Sequence, residues 1–283
     1  MLKPLQQHGT LLADIASVAA DDPHLRVWWL GQSGFLIKQG GATFLFDPYL
    51  SDSLTEKYAA TDKPHVRMTE LCVRPEALTG IRHVTASHIH TDHLDAATLL
   101  PLAAANPGLR LFLPHPIIPE AQQRLGDASV EYIGLTRDES FADRDWEVHP
   151  IPAAHNDLKR DDQGRCHYLG FIIKRNGFTL YHSGDTLWHE GLLAALLPHR
   201  PDLMLLPING NKPERRVAGN LNGTEAAALA KACAARLVIP CHYDMFEFNT
   251  ETTEEFEFAC RRLTQPYQVL QCGERGTLKS EAH

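Results

Sequence analysis

The segment Ser87-His88-Ile89-His90-Thr91-Asp92-His93 concentrates side chains that bind metal ions. Imidazole nitrogens and carboxylate oxygens together suit Zn²⁺, Fe or Mn²⁺. An apolar β-prone run precedes the segment and a helical pattern follows it, which predicts a loop at a strand end. In a tight loop, His88 and His90 can point to one ion while Asp92 and His93 point to a second. This density of ligands favours a metal site over surface or helix-capping roles.

Three later segments also place a polar side chain directly after an apolar strand pattern. They contain His155, Asp185 and His242, in the contexts Ala-His-Asn, Ser-Gly-Asp-Thr and Pro-Cys-His-Tyr-Asp. For His155 the alternative is a capping or solvated histidine. For Asp185 it is the N-cap of the following helix. Spacing along the chain by itself leaves the roles of these three positions open.

The pattern His-x-His-x-Asp-His after a strand resembles the signature of the metallo-β-lactamase superfamily. The segments around His155, Asp185 and His242 follow in the order that this superfamily uses, and the resemblance extends from about Val27 onward. At a finer level, the stretches 28–34 and 180–185 resemble the branch that contains L-ascorbate-6-phosphate lactonase.

The resemblance implies an α/β fold, a four-layer αββα sandwich with mixed sheets inside and helices outside. It also implies two divalent metal ions, with Zn²⁺ favoured and Mn²⁺ the alternative. One ion would be held by His88, His90 and His155 and the other by Asp92, His93 and His242, with Asp185 bridging them. Asp92 and Asp185 would be the catalytic residues, and Asp92 would also hydrogen-bond the nucleophile.

The resemblance thus implies that the protein is a hydrolase. A metal-activated water would attack a lactone or related ester, such as a phosphorylated sugar-acid lactone. No G-x-S-x-G motif provides a serine nucleophile. The alternatives are a phosphodiesterase, including the phospholipase D-like relatives of the fold, and a non-catalytic binding module. A di-iron redox protein is less favoured, because the chain is too short for the flavin domain such proteins usually carry.

The remaining pattern predicts the elements that position these loops. Helices are expected at 2–20, 94–105, 190–197, 224–235 and 252–263. Strands are expected at 26–30, 35–38, 43–46, 83–87, 111–113, 130–133, 146–151, 168–174, 178–182, 203–206 and 237–240. Strands and helices interleave in both halves, which favours one domain over 1–283 with 1–25 as a helical extension. The polar stretch 51–74 is predicted to be a long loop, which could cover the site.

Several other residues are candidates for supporting roles. Asp47 either orients an imidazole or is a turn residue before Pro48. Asp244 is a further candidate for orienting a ligand, whereas His182 is expected to be a satisfied core histidine. Trp188 and His189 are expected either to line the pocket mouth or to pack at a helix start. Cations in the loop 209–216 either bind a phosphate or carboxylate or are simply solvated; they are Lys212, Arg215 and Arg216.

Composition limits the choice of partners. The 283 residues carry a formal net charge of −8 with no long basic run, so nucleic acid and anionic membranes are not expected partners. No stretch reaches the roughly 18 apolar residues of a membrane span. Six cysteines without a CxxC pair indicate reduced thiols in a cytoplasmic protein. A small-molecule substrate is expected, and a homo-oligomer is left open.

Overall fold

The computed structural model describes residues 1–280, which form two β-sheets with helices around them. The strands in chain order are β1 (Leu25–Gly31), β2 (Gly34–Gln39), β3 (Ala42–Phe46), β4 (His83–Thr85), β5 (Leu109–Pro114), β6 (Val130–Leu135), β7 (Phe141–Ala142), β8 (Glu147–Pro152), β9 (Leu169–Arg175), β10 (Phe178–His182), β11 (Leu203–Pro207), β12 (Leu237–Cys241) and β13 (Arg275–Leu278). The helices are α1 (His8–Ala16), α2 (Ser53–Tyr58), α3 (Ala96–Ala105), α4 (Ile118–Leu125), α5 (Leu192–Leu196), α6 (Gly223–Ala232) and α7 (Glu254–Leu263).

Both sheets mix parallel and antiparallel pairing. The seven-stranded sheet has the order β13-β1-β2-β3-β4-β5-β6, and β3 to β6 run parallel. The six-stranded sheet has the order β12-β11-β10-β9-β8-β7, and β10 to β12 run parallel. The predicted architecture of two mixed sheets flanked by helices is therefore confirmed.

Aromatic contacts join the two sheets through one hydrophobic core. The rings of Phe46 on β3 and His182 on β10 stack at 4.7 Å between centroids, and Phe44 meets Trp146 edge-on at 5.8 Å. His182 is fully buried, and both of its ring nitrogens have partners. Its Nδ1 accepts from the Gly184 N–H at 3.2 Å, and its Nε2–H donates to the Ser33 carbonyl at 2.9 Å. It is thus the satisfied core histidine that its context predicts.

Short-range signals place several elements correctly. Asn176 and Gly177 both adopt positive φ, 44° and 83°, and join β9 to β10 as the predicted tight hairpin. Asn222 accepts the Glu225 N–H at 2.8 Å, and the Glu225 carboxylate accepts the Asn222 N–H at 3.0 Å. This capping box fixes the start of α6 at the predicted cap.

The structure differs from the sequence prediction at the N-terminus and in the stretch 51–74. The opening helix begins at His8 rather than Leu2, because Leu2 pairs with the backbone of Met68 at 2.7 Å instead. The predicted loop 51–74 contains the helix α2, whose Leu54 packs in a small cluster with Tyr49, Met245 and Phe246.

Two further elements have no clear sequence signal. The helix α4 begins within the turn-like sequence 115–119, His-Pro-Ile-Ile-Pro, and Pro119 occupies its first turn, where the missing N–H costs nothing. The strand β13 has only four residues and pairs with β1, so that Leu278 lies opposite Leu25. A strand of four residues is too short to show a hydrophobic periodicity, and its partner lies far away in the sequence.

Asp143 links elements of the two sheets and provides a test of stability. It accepts hydrogen bonds from His83 on β4 at 2.8 Å and from Arg110 on β5 at 2.6 Å. Partial burial raises the pKa of this carboxyl, but hydrogen bonds from the backbone of Trp146 and Asp145 and from His83 outweigh burial and lower the pKa to about 2.

We expect Asp143→Asn to lower the free energy of unfolding by about 2 kcal/mol at pH 7. Because the folded pKa lies below the unfolded value of 3.8, the contribution is complete above about pH 4 and is lost as pH falls toward 2. Urea unfolding of both proteins at pH 7 and pH 3 measures this. The difference in free energy of unfolding between wild type and Asp143→Asn should shrink to about half at pH 3. An unchanged difference would contradict the lowered pKa of Asp143.

Candidate metal centre

The loops that follow four strands meet at one end of the two sheets. They are the histidine loop (Ser87–His93) after β4 and the loops after β8, β10 and β12. All seven predicted ligands come together there, in two groups. Within each group the candidate ligand atoms lie within 4.8 Å of one another. The histidine group contains His88, His90 and His155. The mixed group contains Asp92, His93, Asp185 and His242.

Asp185 lies between the two groups. Its Oδ1 is 3.4 Å from His93 Nε2, and its Oδ2 is 3.4 Å from His242 Nε2. The same Oδ2 lies 3.6 Å from Nε2 of His155, which belongs to the histidine group. One carboxylate therefore faces both groups.

Three buried atoms of the candidate ligands have no hydrogen-bond partner among the described residues: His88 Nε2, His93 Nε2 and Asp185 Oδ1. Leaving such an atom unsatisfied costs about 1–3 kcal/mol each. Neutral imidazole nitrogens and a carboxylate oxygen are the donors that divalent transition metals take. The unpartnered atoms therefore fit a pair of divalent cations, which would satisfy them.

Hydrogen bonds behind the rings fix which nitrogen faces the centre. The His93 Nδ1–H donates to Asp47 Oδ2 at 2.7 Å, and the His155 Nδ1–H donates to the Gly219 carbonyl at 3.0 Å. Each bond directs Nε2 toward the other candidate ligands. Burial lowers the pKa of His93, but the carboxylates of Asp185 and Asp92 outweigh burial and raise it well above its ordinary value, so a bound cation would replace the proton that this Nε2 otherwise holds. The Ser87 hydroxyl lies 3.0 Å from His88 Nδ1 and, as both donor and acceptor, can bond either tautomer of that ring.

Asp47 combines both roles that its sequence context suggests. It adopts a positive φ of 34° at the end of β3, as a turn residue would, and it is fully buried beneath His93. Its Oδ1 accepts from the Thr85 hydroxyl at 2.5 Å and from the Ser87 N–H at 3.1 Å. The carboxylate thus ties β3 to the start of the histidine loop and orients one ring.

Gln32 is a site residue that the sequence reasoning missed. It lies in the turn between β1 and β2 with a φ of 50°, and its amide nitrogen donates to Asp92 Oδ2 at 2.8 Å. The same nitrogen lies 3.0 Å from His242 Nε2. Its position between Gly31 and Gly34, within a stretch that resembled the lactonase branch, was the available signal.

Burial and neighbouring charge set the protonation states of the centre. Burial, together with His93 and His90, lowers the pKa of His88 well below its ordinary value. His90 is exposed toward the cavity, but the protein that surrounds its ring and the neighbouring His155 lower its pKa to about 4. For Asp185, burial raises the pKa, but His242 and His93 hold it well below the usual value. At neutral pH, His88 and His90 therefore offer lone pairs and Asp185 offers an anion.

A cavity of about 380 Å³ opens above both groups. Its walls include Leu54 and Tyr58 of α2 and Phe246 from the loop after β12. The predicted loop 51–74 therefore does border the site. Trp188 and His189 line a separate shallow cavity instead, and His189 Nε2 lies 2.9 Å from the Pro152 carbonyl oxygen.

The cations of the loop 209–216, expected either to bind an anion or to be solvated, contribute little to this cavity. Lys212 and Arg215 both pair with the carboxylate of Glu251, and neither lines the cavity. Arg216 does line it, and its guanidinium is paired with Asp62 at 2.6 Å. Asp244, another candidate, borders a different cavity.

Known proteins are similar to this chain over most of its length. Residues 42–243 match the family described as the beta-lactamase superfamily domain. A UPF0173 metal-dependent hydrolase from Myxococcus xanthus is 27% identical over 269 residues, which cover 93% of this chain and 86% of that protein.

Two solved structures share the fold. Igni18, a metallo hydrolase from Ignicoccus hospitalis, is 22% identical with a TM-score of 0.66, and the match covers 91% of this chain and all of that one. The isothiocyanate hydrolase from Delia radicum gut bacteria is 18% identical with a TM-score of 0.71, over 90% of this chain and all of that one.

The chain belongs to the beta-lactamase superfamily, since the family match spans more than half of its residues, and its fold is the metallo-β-lactamase fold. Within residues 1–280, no helix is both long and apolar enough to cross a membrane.

Proposed function

We propose that this chain, a metal-dependent hydrolase of the metallo-β-lactamase fold, cleaves a lactone or related ester in the cavity above the two groups. The observation that carries the proposal is the position of Asp185, whose two oxygens face both groups. Its Oδ1 and the Nε2 atoms of His88 and His93 lack hydrogen-bond partners, as expected of atoms that would bind metal ions. The finer choice of a lactone rests on the sequence resemblance of the stretches 28–34 and 180–185 to the lactonase branch.

Each group is proposed to hold one divalent ion. His88, His90 and His155 would hold the first, and Asp92, His93 and His242 would hold the second, with Asp185 shared. The many imidazoles favour Zn²⁺, and Mn²⁺ is the alternative. When bound, such a pair supplies Lewis acidity that lowers the pKa of water and polarises the substrate oxygen.

The chain itself positions and deprotonates the water. Asp92 faces the cavity and is held by the amide of Gln32 at 2.8 Å, so its carboxylate can take a proton from the attacking water. Among the described residues that line this cavity there is no serine or cysteine to act as a nucleophile. Direct attack by water on the ester carbonyl is therefore the route that the lining favours.

Metal removal tests the proposal. We expect protein purified without added ions to contain close to two metal equivalents per chain and to hydrolyse members of a lactone panel. Chelation should abolish turnover, and Zn²⁺ or Mn²⁺ should restore it, because the side chains alone supply no strong nucleophile.

The same experiment separates the alternatives. Faster turnover of phosphodiesters than of lactones would favour a phosphodiesterase. Bound iron with a characteristic absorption band and no hydrolysis would favour a redox protein. Lactone hydrolysis that persists after complete chelation would refute the mechanism.

A further inference from the structure

Cleavage of an ester releases an alkoxide oxygen, which needs a proton that the candidate ligands do not supply. Among the described residues that line the cavity there are four histidines. Three of them, His90, His155 and His242, belong to the proposed ligand set. The fourth, His65, lies in the loop after α2 and belongs to neither group. It is therefore the imidazole of the cavity that is free to exchange a proton with a substrate.

The ring of His65 is held from several sides. Its Nδ1–H donates to the carbonyl oxygen of Lys63 at 2.9 Å. The ring of Tyr58 stacks on it at 4.3 Å between centroids. Two further rings, those of Phe246 and Phe248, meet it edge-on at 5.1 and 4.5 Å. These contacts orient the imidazole before any substrate binds.

The second ring nitrogen, Nε2, is left available to the cavity. Because a carbonyl oxygen can only accept, the bond to Lys63 places the hydrogen of the neutral ring on Nδ1 and the lone pair on Nε2. Within residues 1–280 no group hydrogen-bonds to this Nε2, and the atom keeps contact with solvent because the ring is only half-buried. His65 thus lines the cavity with a nitrogen that can gain and lose a proton.

The surroundings of His65 suit a group that gives up a proton readily. Burial lowers the pKa of His65, and the ammonium groups of Lys57 and Lys63 act in the same direction. The hydrogen bond to the Lys63 carbonyl and the carboxylate of Asp92 oppose this shift. A lower pKa makes the imidazolium a stronger acid, whereas the nearby carboxylate keeps the protonated form accessible.

We propose that His65 is the catalytic acid that protonates the leaving oxygen. The inference rests on the proposed function, for which it names the proton donor. As water attacks the ester carbon, one of its protons passes to Asp92. When the bond to the leaving oxygen breaks, the electron pair of that bond stays with the oxygen, and Nε2 of His65 gives it a proton. The proton on Asp92 then returns to His65 through water in the cavity, so that ester and water become carboxylic acid and alcohol.

Two esters that differ in their leaving groups test this role on the metal-loaded protein. 4-Nitrophenyl acetate releases a phenolate that needs no proton, whereas benzyl acetate releases an alkoxide that does. We expect His65→Asn to lower kcat/KM for benzyl acetate about 100-fold and to keep that for 4-nitrophenyl acetate within about threefold of wild type. The amide of asparagine can still donate to the Lys63 carbonyl, but it is not an acid.

The matched control is His115→Asn, which removes an exposed histidine that does not line the cavity. It should leave the turnover of both esters unchanged. The metal content of His65→Asn should equal that of wild type, because His65 belongs to neither ligand group. A loss of metal would show that His65 supports the metal centre and would overturn its role as an acid.

Nitrogen NMR of the imidazoles gives a readout that needs no turnover. We expect the neutral ring of His65 to carry its hydrogen on Nδ1, and Nε2 to take up a proton as pH falls. The signal is assigned by its absence from His65→Asn. A neutral ring with its hydrogen on Nε2 would overturn the inference.

The outcomes separate this inference from the proposed function. Equal losses for both esters, or no loss for either, would overturn the role of His65 while ester hydrolysis stands. If phosphodiesters are cleaved in place of esters, the proposed function fails, and His65→Asn should still slow an alkyl phosphodiester more than a 4-nitrophenyl one. If that difference is absent as well, or if neither class of substrate is turned over, the inference fails too.

Discussion

Replacing Asp185 with asparagine is expected to lower hydrolysis about 10,000-fold and to weaken metal binding in both groups. Mutation of a residue that merely orients a metal ligand typically costs about 10- to 100-fold in metal affinity or activity. Asp185 itself faces both groups, so its loss should cost more. Asparagine keeps the shape of the side chain but removes the negative charge that two cations would share. Metal content by plasma mass spectrometry and kcat/KM on the best lactone measure both effects.

Asp138→Asn is the matched control, because Asp138 is exposed and does not line the cavity. It should retain the metal content and activity of wild type. Circular dichroism distinguishes loss of the site from loss of the fold in Asp185→Asn. A well-folded Asp185→Asn protein with two metal equivalents and most of its activity would contradict a bridging role.

His90→Ala should have a narrower effect, with loss of one metal equivalent and at least about 100-fold slower hydrolysis. His90 belongs only to the histidine group, and its neutral ring faces the cavity. The mixed group keeps all of its own side chains in this variant, so it should still bind an ion. Metal titration with a chromophoric chelator measures the two affinities separately.

The control is His199→Ala, which removes an imidazole from outside both groups. It should leave metal content at the wild-type value. Equal loss of both ions in His90→Ala would show that the groups do not bind separately, and activity that survives in His90→Ala would refute the proposed mechanism.

The candidate site was accessible from sequence because its signals are local. The spacing from His88 to His93 places four candidate ligands in one loop, and the resemblance to the metallo-β-lactamase superfamily pointed to the three distant candidates, each directly after a strand pattern. Strand ends at one edge of a sheet lie close together, so these positions could be expected to meet. Their roles as ligands remain predictions that the variants above test.

Other features depended on neighbours far apart in sequence. Lys212 and Arg215 looked available for an anion, but Glu251 pairs with both of them. The helix α2 is only six residues long, and packing of its Leu54 against Phe246 supports it more than intrinsic helix propensity does. That packing is what brings Tyr58 to the cavity.

By itself, the sequence determined the order of strands and loops and the chemical types gathered at the strand ends, because periodicity and ligand spacing act over a few residues. Only the tertiary structure decided which proton donors line the cavity and which supporting groups reach the ligands, as with His65, Gln32 and Asp47. The physical reason is that pairing and burial depend on distances through space, which spacing along the chain does not specify.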